Sequence, residues 1–182
     1  MNRRKIITLS SAAVGGALVS LPQVQAARAE RSKPQSGDIL VYAFGEKKGV
    51  AITPEMILDE RIFAFPKSAE GIVRDGSLHN QVSLLKVDAL AMSDKTRQYA
   101  AGSIIAVSAA CTHTGCEVSG WKRESHQLVC PCHGSTFDVL DAARVLLGPA
   151  TKPLAYLPIE TTDGAIRVAG KFTRRVGPAP QF

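Results

Sequence analysis

Short apolar runs separated by turn residues make up most of the chain beyond its polar N-terminal stretch. Asp38–Phe44, Ile62–Phe65, Val82–Val87 and Ser103–Ser108 have the length and side chains of strands, the last being rich in Ile, Val and Ala. Ala89–Ala101 offers helix formers with a polar face and predicts a short helix. Leu154–Thr161 and Ala165–Ala169 flank Thr162-Asp163-Gly164, which predicts a hairpin turn. Strands at both ends, with a Cys- and His-bearing segment between them, predict an all-β antiparallel framework over residues 38–182. A metal-binding subdomain near residues 109–153 is inserted in it. Residues 27–37, ARAERSKPQSG, are polar and predict a linker.

Composition agrees with a turn-rich β protein: ten prolines and fifteen glycines accompany a 45% apolar content that can bury a core. The net charge of +6 needs one correction. Residues 1–26 carry Arg3, Arg4 and Lys5 and no acid, so without them the charge is +3. A mildly basic globule with 5% aromatic residues and no lysine/arginine stripe has neither the electrostatic footprint nor the stacking platform of a nucleic-acid binder. Attraction to an acidic protein is compatible with it.

Residues 1–26 have the layout of an export signal: a positive start, an uncharged apolar run from Ile6 to Leu21, then small residues two apart at Val24-Gln25-Ala26. A bilayer span needs about 20 apolar residues. The run is shorter, so a cleaved signal is expected, with a retained membrane anchor as the alternative. Arg3-Arg4 resembles a twin-arginine signal, although Asn2 and Ile6 depart from the usual Ser/Thr and Phe. That route carries folded cargo, and the expected destination is the periplasm.

The chemistry is concentrated in two boxes. All four cysteines and two of the four histidines lie in Cys111-Thr-His113-Thr-Gly-Cys116 and Cys130-Pro-Cys132-His133-Gly-Ser135. Two structural disulfides would leave His113 and His133 unexplained, and buried unpaired thiols would leave the clustering unexplained. Zinc accepts Cys2His2 ligation, but its ligands usually come as Cys-x(2–4)-Cys and His-x(3–5)-His pairs. Here each box supplies a mixed pair, Cys-x-His or Cys-x-x-His. Such pairs suit a cluster with one iron held by thiolates and the other by imidazoles.

Both boxes, with Gly148-Pro149-Ala150-x-x-Pro153, resemble those of Rieske proteins, specifically the high-potential group related to cytochrome bc complexes. The match spans residues 111–153, about a quarter of the chain. The resemblance implies an antiparallel β-sandwich fold and one 2Fe–2S cluster, with Cys111 and Cys130 on one iron and His113 and His133 on the other. It further implies a Cys116–Cys132 disulfide tying the loops together, and a covering loop at Gly148–Pro153. Ser135 matches the family serine whose hydroxyl donates to a bridging sulfide and raises the potential. Neutral imidazoles in place of two thiolates favour the reduced state, so such centres lie at roughly −150 to +300 mV, against about −400 mV for plant-type ferredoxins. The outer ring nitrogens couple proton affinity to oxidation state.

Two residues depart from the quinol-oxidising members. Phe137 stands where those commonly have a tyrosine donating to a cysteine ligand, and Thr114 where they have leucine at the docking surface. A potential below theirs is therefore expected. The resemblance implies an electron-transfer subunit rather than a stand-alone enzyme, serving a c-type cytochrome or the large subunit of a dehydrogenase or oxidase. Small subunits of arsenite oxidases share the pattern, including phenylalanine at Phe137. The alternative is the anchored iron–sulfur subunit of a quinol–cytochrome c reductase. Ring-hydroxylating oxygenases lack the extra cysteine pair and need a mononuclear iron site, for which only His79 and His126 remain. Those two are expected in surface turns and Trp121 in packing beside the subdomain. Lys171–Arg175 is expected to be a solvated tail, with docking of an acidic partner as the other reading.

Overall fold

The computed structural model describes residues 21–179; the export signal expected at residues 1–26 lies outside them except for its last positions. Ten strands form two antiparallel sheets. The larger sheet contains β1 (Ile39–Tyr42), β2 (Ile62–Lys67), β3 (Val82–Lys86), β4 (Ile104–Ser108), β9 (Ile159–Thr162) and β10 (Ala165–Val168), in the order β4-β3-β2-β1-β10-β9. The smaller holds β5 (Gly120–Lys122), β6 (Gln127–Val129), β7 (Thr136–Asp138) and β8 (Arg144–Leu147) in sequential order. Because β5–β8 lie between β4 and β9 in the chain, the subdomain is an insertion into the larger sheet, as expected. Asp163 and Gly164 both take positive φ, 53° and 72°, which makes the β9–β10 connection a primed two-residue turn matching the strand twist.

The larger sheet also closes on itself. The segment leading into β9 pairs with the far edge of β4, through a bridge between Val107 and Tyr156 and the bonds Ser108 N to Ala155 O (2.8 Å) and Leu157 N to Ala106 O (2.9 Å). This closure occupies edges that would otherwise expose unpaired backbone.

The nearly unbroken apolar character of β4 follows from its position. Ile104 and Ala106 face the core enclosed by the larger sheet, with Leu40, Leu84 and Ile166. Ile105 and Val107 face a second core, shared with the inserted sheet through Val118, Leu128 and Phe137. A strand between two cores is buried on both faces, so period-2 alternation is lost from its polarity and remains only in its direction.

Two expectations need correction. The helix expected over Ala89–Ala101 shrinks to the single turn α2 (Asp94–Arg97), because this stretch uses its polar groups on distant partners. Ser93 N donates to Leu140 O (2.9 Å), Thr96 Oγ1 accepts from Ala142 N (2.9 Å) and Tyr99 O accepts from Ile159 N (3.2 Å). The polar stretch 27–37 begins in a helix, α1 (Leu21–Arg31), and beyond it is bonded to the body. Arg74 forms a buried ion pair with Asp38 (2.6 Å) and also donates to Ser32 Oγ, while Asn80 Nδ2 donates to Ser32 O (2.8 Å). No helix among the described residues is long and apolar enough to cross a membrane.

Candidate metal centre

The two boxes fold into the same turn. In each, the amide of the leading cysteine donates to the carbonyl five residues on: Cys111 N to Cys116 O and Cys130 N to Ser135 O, both 2.8 Å. In each, the glycine four residues on donates back to the cysteine carbonyl: Gly115 N to Cys111 O and Gly134 N to Cys130 O, both 3.0 Å. The geometry needs a left-handed residue at that fourth position, which glycine supplies without strain, at φ 87° for Gly115 and 72° for Gly134. The sequence offset Cys-x-x-x-Gly is thus the local reason that two unrelated-looking boxes present their side chains alike.

Cys116 and Cys132 are joined in a disulfide with their Cα atoms 6.6 Å apart, so one covalent link fixes the two turns against each other. Cys111 and Cys130 are unpaired and buried. The Cys130 sulfur lies within 4.8 Å of both disulfide sulfurs, but the latter are bonded to each other and are not free to ligate. The His113 and His133 rings meet with centroids 4.8 Å apart and planes at 89°. His133 is exposed and His113 half-buried. The structure therefore sets the Cys111 and Cys130 sulfurs beside each other and the His113 and His133 rings beside each other, all four on the two linked turns.

Whether these residues suit an iron–sulfur group can be judged from their surroundings. His113 Nδ1 is buried with no hydrogen-bond partner among the described residues, a state that is costly for a ring nitrogen unless something ligates it. Burial pushes the Cys111 thiol pKa up, and the adjacent Cys130 sulfur adds to the shift. Two thiolates placed here need a cation to neutralise them. Soft sulfur and imidazole donors, without carboxylates among them, suit such a centre.

A third loop completes the site. Thr112 Oγ1 donates to Lys152 O (2.6 Å), and Ala150 N donates to Ser135 Oγ (3.1 Å), fastening Gly148–Pro153 over both turns. Ser135 is fully buried; with its oxygen accepting from Ala150, its proton is free to be given elsewhere. Gly148 lies so close that a Cβ there would sit 2.5 Å from Ser135 Cα. Phe137 is fully buried in the core that also holds Cys111 and Cys130. Thr112 was not anticipated as a tie; its place between two candidate ligands in the first box was the available signal.

Of the remaining candidates, the two histidines lie close to expectation and the C-terminal segment does not. His126 sits at φ 51° in the turn before β6 and packs on Trp121, with centroids 6.4 Å apart. His79 is exposed. Lys171–Arg175, expected to be solvated, is held by Thr173 N to Tyr156 O (2.9 Å) and Tyr156 N to Thr173 Oγ1 (3.0 Å).

Residues 71–158 match the family model of the Rieske [2Fe-2S] domain. The chain is 36% identical over 124 residues to a cytochrome bc1 complex Rieske iron–sulfur subunit of Streptomyces lividans, covering 64% of this chain and 72% of that protein. It is equally similar to the corresponding subunit of Streptomyces coelicolor, of which it spans 35%. It is also 36% identical over 121 residues to a Haloferax mediterranei protein described as a candidate respiratory nitrate reductase Rieske subunit, covering 65% of this chain and 52% of that protein. Among solved structures it is similar to the soluble domain of Rieske protein II from Sulfolobus acidocaldarius, with TM-score 0.40, 23% identity, and coverage of 53% of this chain and 66% of that one. The chain belongs to the Rieske [2Fe-2S] family and is an electron-transfer protein carrying a 2Fe–2S cluster.

Proposed function

We propose that the chain is an exported, periplasmic one-electron carrier within an oxidoreductase complex. In it, Cys111 and Cys130 hold one iron of the cluster and His113 and His133 the other. The observation that carries this ligand set is that the two linked turns present two buried unpaired thiols and two crossed imidazoles, one of them with a buried nitrogen that has no partner among the described residues. When bound, a cluster so ligated supplies a one-electron couple more oxidising than an all-thiolate one.

The chain's own residues set the terms of that couple. The Cys116–Cys132 link limits how far the two turns move when charge changes. Ser135, whose oxygen already accepts from Ala150, offers its proton to a bridging sulfide and favours the electron-rich form. Phe137 offers no second hydroxyl, which keeps the potential below that of tyrosine-bearing relatives. Exposed His133 gives the centre contact with a partner such as a c-type cytochrome or an oxidase or dehydrogenase large subunit.

The names of the relatives favour a second reading, the anchored Rieske subunit of a quinol–cytochrome c reductase. Exposed Thr114 and buried Phe137 weigh against it. Intact-mass measurement of the mature protein, with identification of co-purifying subunits, separates the two. A processed N-terminus at Ala27 with a large oxidoreductase subunit supports the exported carrier. Retention of residues 1–26 alongside a b-type cytochrome contradicts it.

A further inference from the structure

A cleft of about 870 Å³ opens between the segment after α1, the single 3-10 turn at Leu78–Asn80 and the C-terminal segment. Its lining carries Lys33, Lys171, Arg174, Arg175 and His79, and no acid. None of the lysines or arginines forms an ion pair among the described residues. The nearby Asp38 is already committed to Arg74, and Asp75 to Lys48. Phe172 and Val176 supply apolar wall. Four uncompensated cations around one concavity repel each other, and an anionic occupant relieves that repulsion.

The segment carrying these cations is fixed rather than loose. Beyond the Thr173–Tyr156 bonds, Arg175 Nε donates to Pro178 O (3.0 Å), and Gly177 lies so close to His79 that a Cβ would meet its Nε2 at 2.9 Å. Pro178 Cδ lies 3.5 Å from where a Cβ on Gly115 would stand, inside the first cluster turn. The basic wall is thereby continuous with the turn that carries His113 and Cys116.

The geometry points to a docking surface: a protruding acidic segment of the protein that exchanges electrons with this chain seats in the cleft, on a wall that touches the first cluster turn. This rests on the electron-carrier reading and names one surface through which it meets its partner. A concave site with apolar wall suits a protruding segment better than the plane of a bilayer.

The test uses the holoprotein, a labelled octaglutamate peptide, a c-type cytochrome of net negative charge and phosphatidylglycerol vesicles, at low salt. Arg174→Gln/Arg175→Gln is expected to weaken peptide binding and slow cluster oxidation by the cytochrome, each about tenfold, with both effects fading near 150 mM salt. Lys86→Gln/Lys95→Gln, which removes equal charge elsewhere, is expected to change neither by more than about twofold. An unchanged EPR spectrum and midpoint potential in the variants leave the carrier reading standing whatever the docking result. If the arginine pair disturbs folding, Lys33→Gln/Lys171→Gln in the same cleft decides. Equal losses in the control, no loss in the cleft variants, or vesicle binding without peptide binding overturns the proposal.

Discussion

At the scale of single residues, the centre depends on positions that are not ligands. Gly148 has φ 89° and no room for a Cβ against the backbone of Ser135. Gly148→Ala is expected to lower stability by about 2–4 kcal/mol, through both the left-handed strain and the push on the covering loop. A thermal melt checks this, and cluster loss on storage should accelerate. Phe137→Tyr places a hydroxyl in the core shared with Cys111 and Cys130. The midpoint potential should rise, and an unchanged value removes the explanation offered for this residue. The candidate ligands and Ser135 stand out in the sequence because their chemistry is written in their identities. Gly148 was legible only as part of a motif. The steric reason for it exists in the folded chain alone, where a residue from the covering loop meets the second cluster turn.

At the scale of elements, the two cluster turns behave as one unit only while they are crosslinked. Cys116→Ser/Cys132→Ser opens a loop of 16-residue separation, and removing that crosslink should cost about 3 kcal/mol by the chain-entropy estimate. Iron release into a chelator, followed optically, should be faster in the variant and in protein treated with a thiol reductant. Tyr156 joins the two sheets: its backbone bridges to β4, and its buried hydroxyl donates to Val139 O at 2.6 Å. Burial drives its pKa far above the ordinary phenol value. Tyr156→Phe leaves that carbonyl without its partner and should cost about 1–2 kcal/mol in a denaturant titration. Strand positions were readable from apolar runs because most strands face one core or two. The helix over Ala89–Ala101 was misread because propensity is a weak prior against tertiary bonds such as Ser93 N to Leu140 O. Closure of the larger sheet through Ala155–Leu157 left no mark on polarity, since backbone bonds make it.

At the scale of the whole molecule, the body continues past β1 towards the N-terminus. The buried Asp38–Arg74 pair, with Ser32 and Asn80, holds residues 30–38 against the β framework. Asp38→Asn leaves Arg74 buried without its counter-charge and should cost about 3–5 kcal/mol. Limited proteolysis should then cut between α1 and β1, a segment protected in the parent protein. This clamp was invisible in the sequence because its partners lie 36 residues apart and both look like ordinary surface charges. The proposed centre is two thiolates and two imidazoles sharing one cluster. Pulsed EPR of the reduced holoprotein tests that most directly. The account predicts a 2Fe–2S signal coupled to two directly bound nitrogens, which is lost or altered in His113→Cys and His133→Cys. A signal without nitrogen coupling, or zinc in place of iron in the purified protein, would contradict it.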